Sequence, residues 1–304
     1  SLCQQPRDFG FFNGIANVLI HHDGRYFANI MHACNPLFFD SFTGYKCMPL
    51  MVIFLFMVSS SVVILELHDY KHKMDTLTLV AVFTFLQLQF SPSIVIQLFE
   101  MVGSFVYYWP WIFFISFVGV AIRMSSNNSA LIKAILFILA MALLFASIGL
   151  SEIFFLPNAI LITALWFYSY RFSQCRLEYR LLTLWGLCCL LLFLTSPGIQ
   201  FRLSDNRSIN DKLIELKPLL LCIQHNASIV VSMLKNPIWI FAALAIYPVV
   251  TRLTFLHNLI AVRRVLIVVL VLILVASLMT LPYYLGMRKS YDIPFRIFSS
   301  TSVI

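Results

Sequence analysis

Apolar residues run along this chain in long blocks, not in the alternating or every-third-or-fourth patterns of half-buried elements. Eight blocks approach or reach the roughly 20 residues that a helix needs to cross a bilayer core. They are 49–67, 76–91, 107–122, 130–150, 153–170, 180–195, 229–250 and 265–285. The second and third are short, and the apolar stretch between them, 91–108, carries Pro92, Glu100 and Gly103. That stretch reads as a re-entrant or interfacial piece, because irregular backbone at membrane depth is tolerated only where protein or water surrounds it. The fourth and fifth blocks are nearly continuous, and about forty residues overshoot one crossing. A tight hairpin is expected where Gly149, Ser151, Glu152 and Pro157-Asn158 interrupt them.

Composition agrees with the blocks. The 304 residues are 61% hydrophobic and 11% charged, with 29 Phe, against about 45–50% and about 25% in soluble domains. So much apolar surface must face lipid, which excludes a water-soluble globule, a disordered chain and a fibre. Seven Cys are too few for a disulfide scaffold, although Cys34 and Cys47 share the first loop and could pair. The net charge of +8 comes from basic residues scattered between spans. It reflects membrane topology, and nucleic acid is not an expected partner.

Short loops set orientation. Those at 68–75 (Lys71, Lys73), 123–129 (Arg123), 171–179 (Arg171, Arg176) and 251–264 (Arg252, Arg263, Arg264) are basic and are assigned to the cytoplasm. Nine of the thirteen acids then fall outside: Asp8, Asp23, Asp40, Glu100, Glu152, Asp205, Asp211, Glu215 and Asp292. The fold expected is all-α, a polytopic helical membrane bundle forming one domain over 1–304. Residues 1–48 are an outer loop, 49–195 the first six spans, 196–228 a second outer loop, 229–285 the last two spans and 286–304 an outer segment. The chain opens on Ser1 without a leader and stops soon after an apolar span, so it reads as a fragment truncated at both ends.

Nucleotide-binding, zinc-protease and serine-hydrolase motifs are absent. His21, His22 and Asp23 are adjacent and lack a separated third ligand, which argues against a metal site. The cofactor therefore stays unspecified, with a divalent cation left open. The distinctive text lies in the outer segments: Arg7-Asp8-Phe9, Gly24-Arg25-Tyr26-Phe27, Glu100-Met101-Val102-Gly103 with Tyr107-Tyr108-Trp109-Pro110, Gly149-Leu150-Ser151-Glu152, and Ser196-Pro197-Gly198 with Arg202. In order and spacing this set resembles a bacterial group of GT-C-type integral-membrane glycosyltransferases. Their pattern comprises an acidic-aromatic motif, a Gly-Arg-aromatic element, a Glu, Gly and Tyr-rich stretch, a Gly-x-x-Glu turn and a Pro-Gly-x-x-x-Arg element. Two features depart from it: Arg7-Asp8 stands where a pair of acids is common, and no span precedes that motif.

A transferase using a lipid-phosphate sugar needs a base for the acceptor hydroxyl and cations for the departing phosphate. The resemblance makes Asp8 the base, with Glu100 and Glu152 as further catalytic carboxylates. Arg25 either contacts phosphate with its planar fork or pairs with Asp23 or Asp40. Tyr107 and Tyr108, with Trp109 and Trp111, read as an interfacial aromatic belt or, alternatively, as a sugar platform. Arg202 and Arg207 are candidates for the lipid-linked phosphate or for anionic headgroups. Glu152 otherwise reads as a helix N-terminal carboxylate. The activity this implies is transfer of a sugar from a polyprenyl-phosphate donor to an envelope glycan, lipid or protein at the outer face of a bacterial inner membrane. A flippase or transporter of lipid-linked glycans, favoured by Lys235 and Pro237 in the seventh span, and a glycan polymerase are the rival readings.

Overall fold

The computed structural model describes residues 25–67, 73–89, 98–99, 101–171 and 176–197. Among them the chain is almost wholly helical and contains no strand. Seven α-helices follow in order: α1 (Tyr26–Ala33), α2 (Phe42–Leu67), α3 (Lys73–Gln89), α4 (Met101–Ser126), α5 (Ala130–Leu150), α6 (Phe155–Arg171) and α7 (Arg176–Leu194). Short 3-10 turns precede α2 and α6 at Pro36–Phe39 and Glu152–Phe154. Among the described residues, five apolar stretches are long enough to cross a membrane: Phe42–Glu66, Gly103–Ser126, Ala130–Leu150, Glu152–Tyr170 and Arg176–Leu194. The chain is a multi-pass membrane protein. The apolar helix Thr76–Leu88 within α3 is shorter, and the expected spans 229–250 and 265–285 lie outside the described residues.

By contact the chain divides into two compact units, one containing the described residues 25–67, 98–171 and 176–197, the other containing α3. Pairings within the first unit fix its helix directions. Ser59 meets Ser116 at 2.7 Å, Gly119 lies against Val62, and Glu66 pairs with Arg123 at 3.3 Å. Positions on α2 and α4 advance together, so the two helices are parallel. Asn127–Ser129 then reverse the chain, with Asn127 Oδ1 accepting the Ser129 amide at 3.0 Å, as Asn does in tight turns. On α5 and α7, Met141 O accepts Trp185 Nε1 at 3.0 Å and Leu144 faces Gly186, so these helices are also parallel. Phe155 with Phe193, Ile162 with Gly186 and Tyr168 with Tyr179 make α6 and α7 antiparallel. One end of the unit therefore gathers the N-termini of α2, α4 and α6 with the C-termini of α5 and α7. The opposite end carries the 127–129 turn and the Glu66–Arg123 pair.

What faces inward is set by shape more than by polarity. On α7 the buried positions Tyr179, Leu182, Gly186, Cys189, Leu190 and Phe193 recur at helical spacing, while Leu177, Leu181, Leu184, Leu187 and Leu191 form the exposed stripe. Both stripes are apolar, as expected of a helix whose outer face meets lipid. Gly119 and Gly186 let neighbouring helices come close, since a Cβ at either would crowd Val62 or Ile162. Helix α4 is central: 61% of its spanning stretch is buried, against 28% for α2 and α5.

The structure moves several expected boundaries. The first span begins at Phe42 and not at 49, and the part of the expected 1–48 loop that is described holds α1 and a 3-10 turn. The expected re-entrant stretch 91–108 is continuous α-helix from Met101 onward, leading into the span expected at 107–122. Pro110 is accommodated inside that helix, as prolines in membrane helices are when neighbours satisfy the local backbone. Apart from that, Ser147 Oγ on α5 lies 3.5 Å from Pro110 O.

Candidate functional site

The end that gathers the first turns of α4 and α6 also receives α1. Tyr26 places its ring against Gly149, where any Cβ would collide with it. Its hydroxyl donates to Phe145 O at 3.2 Å and the two rings lie 4.6 Å apart. Phe27 meets Phe113 edge-on at 5.7 Å, and His32 meets Phe105 edge-on at 5.0 Å. Ala28, Asn29 and Ala33 complete the buried face. Burial drives the Tyr26 phenol well above its ordinary range, so it stays protonated and remains a donor. Gly149 was expected in a turn; it lies inside α5, and its role is to admit the Tyr26 ring.

The hairpin between α5 and α6 is built from Ser151 in extended conformation (φ −151°, ψ 135°) followed by the 3-10 turn. Phe154 N donates to Ser151 O at 3.1 Å, and the fully buried Phe154 ring meets Trp111 edge-on at 4.8 Å. Asn158, expected at the turn, is buried in α6. Its amide nitrogen donates to Phe154 O at 2.8 Å and to Ser147 Oγ at 3.2 Å. This network ties α6 to α5 and, through Ser147, to α4.

These two rigid pieces bring Arg25 and Glu152 together. Arg25 Nε lies 3.5 Å from Glu152 Oε1, across 127 residues of sequence, with the side chains 21% and 41% exposed. A pair this exposed contributes about 0–1 kcal/mol to stability, too little to hold the fold, so what it fixes is the direction of two charged groups at the rim. Glu152 is thus a partner of Arg25 from far along the chain; of the two acids the sequence offered, Asp23 lies outside the described residues.

Tyr107 and Tyr108 are buried, as are Trp109 and Trp111. Tyr108 packs edge-on against Phe56 at 6.2 Å, and Trp109 meets Phe113 in a tilted arrangement at 5.6 Å. The expected interfacial belt is replaced by an internal aromatic wall, because α1, α2 and α5 surround this part of α4. Ser104 Oγ, Trp109 Nε1, Trp111 Nε1 and Ser151 Oγ are buried there without a hydrogen-bond partner. Asp8, Glu100, Arg202 and Arg207 lie outside the described residues. Cys34 and Cys47 are exposed and free, and the pairing left open between them is not formed. Among the described residues no group of three or more His, Cys, Asp or Glu could hold a metal ion.

Sequence reasoning missed the Tyr26–Gly149 contact and the Ser147–Asn158 network. The available signals were small residues at the end of an apolar run, Ala146-Ser147-x-Gly149, and an amide within an apolar block. No family model, curated protein or solved structure matches the chain.

Proposed function

We propose that the chain is a membrane glycosyltransferase of GT-C type that moves a sugar from a polyprenyl-phosphate donor to a cell-envelope glycan, lipid or protein. The reaction takes place at the extracytoplasmic face of a bacterial inner membrane. One observation carries this reading: two elements of the ordered motif set, Gly24-Arg25-Tyr26 and Gly149-Leu150-Ser151-Glu152, meet through the 3.5 Å contact of Arg25 with Glu152. A third element, Gly103 to Tyr108, opens the helix packed beside them. Convergence of separated motifs at one end of a bundle is what a shared site requires and what unrelated loop residues lack.

In this reading Asp8 removes the acceptor proton while guanidinium groups take up the charge that develops on the departing phosphate. The direct test is transfer of radiolabelled sugar from a prenyl-phosphate donor in proteoliposomes. Asp8→Asn is expected to lower transfer by about 100-fold or more, in line with the loss of a general base. Full activity in Asp8→Asn would remove Asp8 as the base, and no transfer by the wild-type chain from any prenyl-phosphate sugar would remove the reading.

A further inference from the structure

We infer that Arg180 takes the phosphate of an anionic glycerophospholipid, at the end of the bundle opposite to Glu152. None of the residues behind the glycosyltransferase reading takes part.

Depth and an unmatched charge come first. Arg180 lies four residues after Arg176, the first residue of α7, so it sits about 6 Å inside that helix end. A guanidinium at that depth in a membrane span is costly unless a counter-charge meets it. Among the described residues Arg180 has neither an ion pair nor a hydrogen bond. Its guanidinium carbon stands 5.4 Å from the centre of the Tyr170 ring on α6. A ring covers one face of the cation and leaves the in-plane N–H groups able to donate. Of the guanidinium nitrogens only Nε is buried without a partner, so the terminal pair keeps access from outside the bundle.

The charges nearby increase the demand for an anion. Arg176 is exposed one turn before Arg180 on the same face, a like-charge spacing that destabilises a helix. Both arginines also stand near a helix N-terminus, the end at which cations are disfavoured. Glu178 lies two residues from each, which at 100° per residue puts it about 160° around the helix from both. It offsets the helix end and bridges neither arginine. An external anion at the Arg180 face relieves the isolated charge, the repulsion and the unfavourable dipole together.

The surroundings fit a lipid better than a free anion. Tyr170 and Trp166 meet edge-on at 5.5 Å and are 55% and 39% exposed, as aromatic residues are at the headgroup level of a membrane. Leu184, one turn deeper than Arg180 on α7, is exposed as well. It gives an acyl chain an apolar track below the phosphate. The basic short loops assign this end to the cytoplasm, the leaflet whose anionic lipids are held by basic pockets between helices.

The test is native mass spectrometry of the full chain in non-ionic detergent titrated with phosphatidylglycerol. Size-exclusion profiles and thermal unfolding verify that each variant is folded. Wild-type protein should bind phosphatidylglycerol at least about tenfold more tightly than phosphatidylcholine. Arg180→Gln should weaken phosphatidylglycerol binding about 30-fold, as loss of a charge-assisted hydrogen bond does. Arg180→Lys keeps the charge and should stay within about fivefold of wild type, since attraction to a headgroup rests first on charge. Arg176→Gln should weaken binding about fivefold, the effect of one basic residue near a headgroup. Wild-type affinity in Arg180→Gln overturns the site, as does a loss in Arg180→Lys equal to that in Arg180→Gln. A larger loss at Arg176 than at Arg180 overturns its placement. Equal binding of phosphatidylcholine overturns recognition of the anion, and displacement of the lipid by millimolar inorganic phosphate overturns the assignment to a lipid.

Discussion

Tyr26 fills the space that a side chain on Gly149 would occupy, and so the docking of α1 onto α5 depends on a missing Cβ. Gly149→Ala should therefore destabilise the protein by about 1–3 kcal/mol, the usual cost of overpacking. Tyr26→Ala should suppress most of the added penalty in the double variant. Thermal unfolding in detergent across the four-member cycle measures the coupling, and strictly additive effects would contradict the contact.

The Asn158 amide is buried between Ser147 and Phe154 O. Asn158→Ala leaves both without that donor and should cost about 1–3 kcal/mol. Asn158→Leu should be no milder, since shape alone cannot serve the Phe154 carbonyl. Thermal unfolding that matches wild type in either variant would mean that the network is not what joins the hairpin to α4.

Two ion pairs among the described residues should respond differently. Glu66 is 9% exposed beside a half-exposed Arg123, whereas Glu152 is 41% exposed. Arg123→Ala should lower stability by about 1–2 kcal/mol, because the sheltered Glu66 carboxylate loses this partner. Glu152→Ala should change it by less than about 1 kcal/mol. Guanidinium-induced unfolding of the two variants side by side decides the order, and the reverse order would contradict it.

Orientation can be read from cysteine chemistry. Cys34 and Cys47 are exposed near the end that bears Glu152, and Cys189 is buried. In single-cysteine variants, a membrane-impermeant maleimide added to intact cells should label Cys34 and Cys47. It should leave Cys189 unmodified and reach a cysteine placed at Asn128 only after permeabilisation. Labelling of the Asn128 position from outside would invert the orientation assigned from Arg123, Lys71 and their neighbours.

Existence of the helices was legible and their ends were not. Each of the first six apolar blocks corresponds to a helix, because a run of Leu, Ile and Phe without charges has one stable solution in lipid. The ends were misread wherever polarity does not change at the boundary. Phe42 to Met48 and Gly103 to Tyr108 look like loop and re-entrant text, yet they continue α2 and begin α4. Inward and outward faces were hidden for the same reason, since Leu181 and Leu182 are chemically identical and only one is buried. Arg25 and Glu152 were both picked out from sequence, but separately. Their pairing depends on α1 seating at Gly149, a shape relation that no local spacing encodes.

That pairing also sets a clock on biogenesis. Arg25 leaves the ribosome 127 residues before Glu152, an interval of roughly 6–25 s at ordinary synthesis rates. During it α2, α4 and α5 must be threaded into the bilayer. Until then neither Glu152 nor the notch for Tyr26 exists, so α1 must wait in an undocked form. The docking of α1 thus waits on the fourth apolar block, and any factor that guards the nascent chain must protect an unseated aromatic helix until Gly149 and Glu152 have emerged.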